Sequence, residues 1–194
     1  EIYRCDWSSD VCSSDLRIPA RTLPARAVLP EPSPYGERRL TLKLPAQQSY
    51  VALAWPAPRL SKLDEVDPYA LDMLAAVLDG HAASRLPRTL VREQRLASSV
   101  GASYDMSGRG ASLFTVIATP AEGKTTAQLE AALRSQVGKL AREGVSEAEL
   151  ARVRTQLKAA RVYEKDSMFG QAMKIGQLVA LGFSWLDDAE IDRR

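Results

Sequence analysis

Histidine occurs once in this chain, at His81, and cysteine only twice, at Cys5 and Cys12. Those two scarcities exclude much chemistry. A catalytic zinc usually takes three protein ligands, mostly histidine, and this chain cannot supply them. A Ser-His-Asp arrangement would have to be built on His81, which sits in Gly80-His81-Ala82 with no nucleophile-elbow sequence nearby. His81 therefore reads as an ordinary residue of a helix connection. Carboxylates alone would suit calcium or magnesium, yet no dense Asp/Asn/Gly loop occurs. No apolar run approaches the ~20 residues needed to span a bilayer. The 26 Lys+Arg and 24 Asp+Glu are interspersed, without a basic stripe or interleaved aromatics, so nucleic acid is not an expected partner.

Cys5-Asp6-Trp7-Ser8-Ser9-Asp10-Val11-Cys12-Ser13-Ser14-Asp15-Leu16 resembles, in frame, the translation of a sequencing-library adapter, and residues 1–16 are set aside from fold reasoning on that ground. Both cysteines go with them. The bases fall by Arg4 to 25 and the acids by Glu1, Asp6, Asp10 and Asp15 to 20, so the net charge moves from +2 to +5. A cysteine-free remainder fits either redox compartment. The expectation is a gene fragment whose true N-terminus is missing.

Five prolines between residues 17 and 35 (Pro19, Pro24, Pro30, Pro32 and Pro34) disfavour helix and sheet interiors, and residues 17–36 read as an interdomain linker. Residues 37–194 then read as one domain. Leu40, Leu42 and Leu44 alternate with Arg39, Thr41 and Lys43, the period of a strand with one wet face. A second strand is expected over residues 50–55, stopped by Pro56 and Pro58. Asp67-Pro68 reads as an N-cap with proline at the first helical position, followed by Leu71, Leu74 and Leu78 at helical spacing until Gly80. A second helix is expected from Ser84, with Leu86 and Leu90 inward. Strands over about residues 98–104 and 111–119 flank Ser107-Gly108-Arg109-Gly110.

The last third reads as helical. Leu129, Leu133, Val137 and Leu140 form one stripe; Ser146 and Glu149 form a capping box for the next helix, with Leu150, Val153, Leu157 and Ala160 inward. A third helix is expected near Asp166-Ser167, with Met168, Ala172, Ile175 and Val179 inward and Gly182 after it. The order ββααββααα argues for an α+β two-layer domain, an antiparallel sheet covered on one face by helices.

Two motifs carry less chemistry than they suggest. Gly123-Lys124-Thr125 resembles the end of a phosphate-binding loop, but Ala118 stands where the first glycine belongs, and Pro120 and Glu122 oppose phosphate binding. Thr125 or Thr126 as an N-cap accounts for it. Tyr163-Glu164-Lys165-Asp166-Ser167 is likewise explained by capping of the helix that follows.

Several segments taken in order resemble the second, non-catalytic domain of a pitrilysin/insulinase-type zinc peptidase subunit: Gln47-Gln48-Ser49-Tyr50-Val51-Ala52-Leu53, Asp67-Pro68-Tyr69-Ala70-Leu71, Ser84-Arg85-Leu86 through Val91-Arg92-Glu93, Gly144-Val145-Ser146-Glu147, and Asp166-Ser167 through Gly176. The resemblance implies a peptide-binding chamber shared with an N-terminal domain and a second homologous subunit. It places the zinc motif H-x-x-E-H in that other domain, leaving this chain without a cofactor and inactive alone. It implies a substrate-binding Arg and Tyr, which would stabilise the oxyanion formed during attack. Arg92 matches the Arg; Ser98 stands at the Tyr position, too short for the same task. Neutralisation of a helix C-terminus is the simpler and preferred reading of Arg92. The resemblance also implies a periplasmic or envelope location and a domain continuing beyond residue 194. A structural or assembly role in a subunit of the same fold is the alternative.

Overall fold

The computed structural model describes residues 36–108 and 110–193. The expectations for residues 1–16 and 17–35 lie outside them. The chain divides into two units at Arg39 and Leu40, and of the first only residues 36–39 are described, all of them exposed.

The second unit has the expected α+β class. Three strands, β1 (Val51–Ala57), β2 (Ala97–Ser103) and β3 (Ser112–Pro120), form an antiparallel sheet in the order β1-β3-β2. Between β1 and β2 come α1 (Val66–Asp79) and a π-helical segment, Pro87–Glu93; after β3 come α2 (Thr126–Glu143), α3 (Glu147–Glu164), α4 (Met168–Leu181), a 3-10 turn (Trp185–Asp187) and the short α5 (Asp188–Arg193). Alternation in β3 decides which face is covered. Ser112, Phe114, Val116 and Ala118 are buried, while Leu113 and Ile117 point the other way and stay half exposed.

The covered face meets Leu78 of α1, Leu86, Leu90 of the π-helical segment, and Leu129 and Leu133 of α2 in one cluster. Burying a leucine fully is worth about 1.5–3 kcal/mol each, so this cluster is the main source of cohesion. A smaller cluster forms from Leu60, Leu178 and Ile191.

Caps fix the helix starts largely as the sequence indicates. Thr125 accepts from the Gln128 amide and the Gln128 side chain accepts from the Thr125 amide; Ser146 and Glu149 repeat the arrangement; Ser167 caps α4, which ends at Gly182 with φ 92°. The start of α1 differs. Its N-cap is Glu65, not Asp67, with Pro68 buried inside the first turn. The Glu65 carboxylate instead accepts from Ser61 and the Lys62 amide, which closes the turn before the helix.

Three expectations about packing fail. Residues 39–44 form no strand: Leu40, Leu42 and Leu44 are exposed, and β1 has β3 as its one partner among the described residues. Alternation shows how a strand would divide its faces, but a strand also needs a hydrogen-bonded neighbour. The stripe of α4 proposed to point inward points outward. Met168, Ala172, Ile175 and Val179 are exposed, while Leu178 is buried and Lys174 and Leu181 are partly covered. On that side Leu178 packs with Leu60 and Ile191, and Lys174 Nζ lies 2.5 Å from Asp188 Oδ1 and 3.2 Å from Asp192 Oδ1, so apolar burial and ion pairing both face α5. Ala160 of α3 is also exposed, though Val153 is buried as expected.

Candidate functional site

Residues 87–99 concentrate the backbone irregularities of the domain. The π-helical segment widens the turn so that Gln94 N donates to Thr89 O at 2.9 Å, five residues back. Such segments are rare and cluster at functional positions. Arg95 follows with φ 51°, the one positive-φ residue other than glycine among the described residues. The chain is then pinned by Leu96 N donating to Leu90 O and Ala121 N donating to Leu96 O, both 2.9 Å. As β2 begins, the register shifts between Ala97, opposite Pro120, and Ser99, opposite Thr119. Ser98 is the extra residue of that bulge, a device that re-aims side chains at sheet edges.

The two residues singled out from the sequence flank this bend. Arg92 lies exposed in the last turn of the π-helical segment, and Ser98 is exposed with its hydroxyl donating to Thr119 O at 3.3 Å. A guanidinium here can meet a carbonyl or carboxylate in solvent. The Ser98 hydroxyl is committed to its own sheet. The irregular backbone had no counterpart in the sequence reading, because i to i+5 bonding leaves no hydrophobic period.

Upstream of the π-helical segment, Arg85 is fixed rather than available. Its Nε and Nη2 donate to Glu149 Oε1 and Oε2, each at 2.6 Å, and Nη2 also donates to Gly144 O at 2.9 Å. The Arg85 hydrogen bonds, aided by those from Ser146, hold the Glu149 carboxyl down at about 2. The hollow beside this pair has a volume of about 10 Å³, room for one water at most. His81 closes the turn before it, its Nδ1 accepting from Ala83 N at 3.0 Å.

A larger cavity of about 110 Å³ lies between α3, α4 and α5, with Leu60, Met106, Leu178, Leu181, Phe183 and Ile191 as its apolar part. Its charges are mutually satisfied. Arg161 pairs with Glu164 at 3.1 Å and Asp192 at 3.5 Å, beside the Lys174 pairs. Near it, burial pushes the Asp72 carboxyl up, opposed by Arg161 and assisted by Asp105. Among the described residues no group of three or more His, Cys, Asp or Glu is placed to hold a metal. Nor is any of their helices long and apolar enough to cross a membrane.

The uncovered face of the sheet is smooth. Thr115 is flanked by Ala54 and Ser103, and Ile117 by Ala52 and Gly101; the Ser103 and Thr115 hydroxyls are 2.7 Å apart. It carries no charged side chain within the three strands. The Gly123-Lys124-Thr125 loop is a strand-to-helix connection with Gly123 at φ 72° and Thr125 as N-cap.

Comparison with solved structures places this fold among known ones. A protease from Helicobacter pylori is 22% identical with a TM-score of 0.70, over 78% of this chain and 35% of that one. An inactive peptidase domain from Bordetella parapertussis is 22% identical with a TM-score of 0.64, over 78% and 81%. A peptidase M16 inactive domain from Pseudomonas fluorescens is 20% identical with a TM-score of 0.59, over 77% and 34%. The chain thus spans about a third of the Helicobacter and Pseudomonas chains. Curated proteins gave no match. The family described as the peptidase M16 inactive domain matches residues 13–157, and with that coverage the chain belongs to the insulinase/pitrilysin-type M16 family, in its inactive domain.

Proposed function

We propose that this chain is the non-catalytic half of a zinc metalloendopeptidase subunit and forms part of the wall of its peptide-binding chamber. The observation that carries this reading is the match to the family's inactive domain over residues 13–157. The uncharged open face around Ala52, Gly101, Thr115 and Ile117 suits such a wall, since it can lie against peptide without selecting for charge. Zinc and the water-activating carboxylate belong to the other domain of the subunit. Arg92 is the residue of this chain proposed to reach the peptide, as a cation beside the substrate carbonyl.

The test combines this chain with a zinc-bearing M16 domain and follows cleavage of a fluorogenic peptide. The chain alone is expected to hold no stoichiometric zinc and to cleave nothing; the mixture is expected to cleave in a chelator-sensitive manner. Arg92→Ala should then lower kcat/KM by about 100-fold or more, the scale of losing one oxyanion donor. Unchanged kcat/KM with a small loss of stability would reduce Arg92 to a helix-end charge. Stoichiometric zinc or chelator-sensitive cleavage by the isolated chain would overturn the whole assignment.

A further inference from the structure

Asp79 sits where a carboxylate is costly. It is the last residue of α1, at the negative end of the helix dipole, and the last turn of α1 holds no basic residue. The side chain is partly buried, and among the described residues no cation is paired with it. Burial pushes its carboxyl up, opposed by a hydrogen bond from the Ala102 amide.

That hydrogen bond lies off the sheet. β2 ends the strand order β1-β3-β2, and along an antiparallel pair alternate residues turn N–H and C=O away from the partner strand. Ala102 N donates to Asp79 Oδ2 at 3.3 Å, so Ala102 is an outward residue. Alternation makes Val100 the other outward residue in the regular stretch 99–103. An added strand pairs through such outward groups, and Asp79 already holds one of the two. Gly101 keeps the approach clear, since a Cβ there would stand 3.3 Å from Asp79 Oδ2.

Elsewhere the sheet edges are interrupted by the backbone itself. β1, on the opposite edge, carries Pro56, which has no N–H to give. The bulge at Ser98 breaks the start of β2. The stretch from Val100 to Ala102 has no such interruption, and Asp79 is the side chain set against it.

We infer that Asp79 is a guard that closes the outer edge of β2 to strand addition, by holding the Ala102 amide that an incoming chain would need. It acts on the edge of the sheet, apart from the open face assigned above to the chamber wall. A partly buried carboxylate without a counter-charge is costly as packing alone, and the guard gives it a task.

Two measurements on the full chain test this: amide hydrogen exchange read residue by residue by NMR, and fluorescence anisotropy of a labelled peptide of residues 112–120. That sequence is β3, which already pairs with β2 from the other side. In the parent, Ala102 should exchange about tenfold more slowly than Val100 after correction for intrinsic rates, the scale of one hydrogen bond, and the peptide should not bind. Asp79→Ala should bring Ala102 to the rate of Val100, leave Gly101 and Ser103 protected, and let the peptide bind. Gly101→Ala keeps the carboxylate but presses it aside, so it should do the same, and it carries the test if Asp79→Ala does not fold. Asp79→Asn retains an acceptor of the same reach and should keep Ala102 protected and the edge closed. Unchanged Ala102 exchange in the folded Ala variants, peptide binding by the parent, an edge opened by Asp79→Asn, or no peptide binding once Ala102 is released would each overturn the guard.

Discussion

Arg85 and Glu149, 64 residues apart, grip each other through two parallel hydrogen bonds of 2.6 Å, and the same guanidinium accepts a third role by donating to Gly144 O. The pair ties the start of the π-helical segment to the first turn of α3. Both side chains are less than one-fifth exposed. Removing either partner strands the other, yet the remaining solvent contact screens part of the effect. Arg85→Ala is expected to cost about 1–3 kcal/mol in urea denaturation, and a double-mutant cycle with Glu149→Gln should show strong coupling.

The same pair predicts an acid response. Glu149 falls from an ordinary 4.5 to about 2 in the folded protein, first because of Arg85 and then through Ser146. A carboxyl depressed on folding contributes its stability above the unfolded value, and that contribution is lost as pH falls from about 4.5 through about 2. Glu149→Gln should therefore be less stable than the parent at pH 6, with the difference shrinking steadily across that window. A constant difference from pH 6 to pH 2.5 would assign the pair a purely steric role.

Asp72 predicts the opposite sign. Burial raises its carboxyl above 3.8, with Arg161 opposing and Asp105 reinforcing the shift. The folded state thus pays for the charged form at neutral pH and is relieved when the group protonates. Asp72→Asn is expected to raise Tm at pH 7 and to have no effect below the unfolded value. A fall in Tm at pH 7 would mean that attraction to Arg161 outweighs burial.

The helix ends were the most legible part of the sequence, because each cap is a local bargain between a side chain and amides within three residues. Ser146 with Glu149, Ser167, Gly144 and Gly182 act where their spacing indicates. The β2 and β3 strands and the inward positions Leu86, Leu90, Leu129 and Leu133 were legible through hydrophobic period. What was not legible depended on partners distant in the chain. The period of α4 identified its apolar face correctly but not its direction, which depends on the contacts of Leu178 with Leu60 and Ile191 and of Lys174 with Asp188 and Asp192. Leu40, Leu42 and Leu44 had a strand's alternation without a strand's neighbour. Of the candidate site, Arg92 and Ser98 were found by resemblance, whereas the π-helical turn and the bulge at Ser98 had no local signal.

Leucine truncations separate those two kinds of legibility. Leu133 is fully buried, and Leu133→Ala should cost about 2–5 kcal/mol as its contacts are lost and a cavity remains. Leu42→Ala, at a residue 68% exposed, should fall within about 0.5 kcal/mol of the parent. Chemical denaturation of the two variants measures both. A loss at Leu42 comparable with that at Leu133 would show that residues 39–44 are packed in solution.

Arg95 isolates the backbone of the candidate site from its charges. Its φ of 51° places Cβ near the following carbonyl, a conformation costing about 1–2 kcal/mol for a residue other than glycine. Glycine removes that clash but adds freedom to the unfolded chain, which offsets part of the gain. Arg95→Gly is therefore expected to stabilise the fold by about 0.5–1 kcal/mol. If the bend at Arg95 exists to set the Arg92 side chain towards peptide, the stabilised variant should bind peptide no better, and in the reconstituted peptidase its kcat/KM should fall while the Arg92→Ala variant is insensitive to the change. Additive effects of Arg95→Gly and Arg92→Ala on ln(kcat/KM) would separate the strained turn from Arg92 and leave it a feature of the connection to β2 alone.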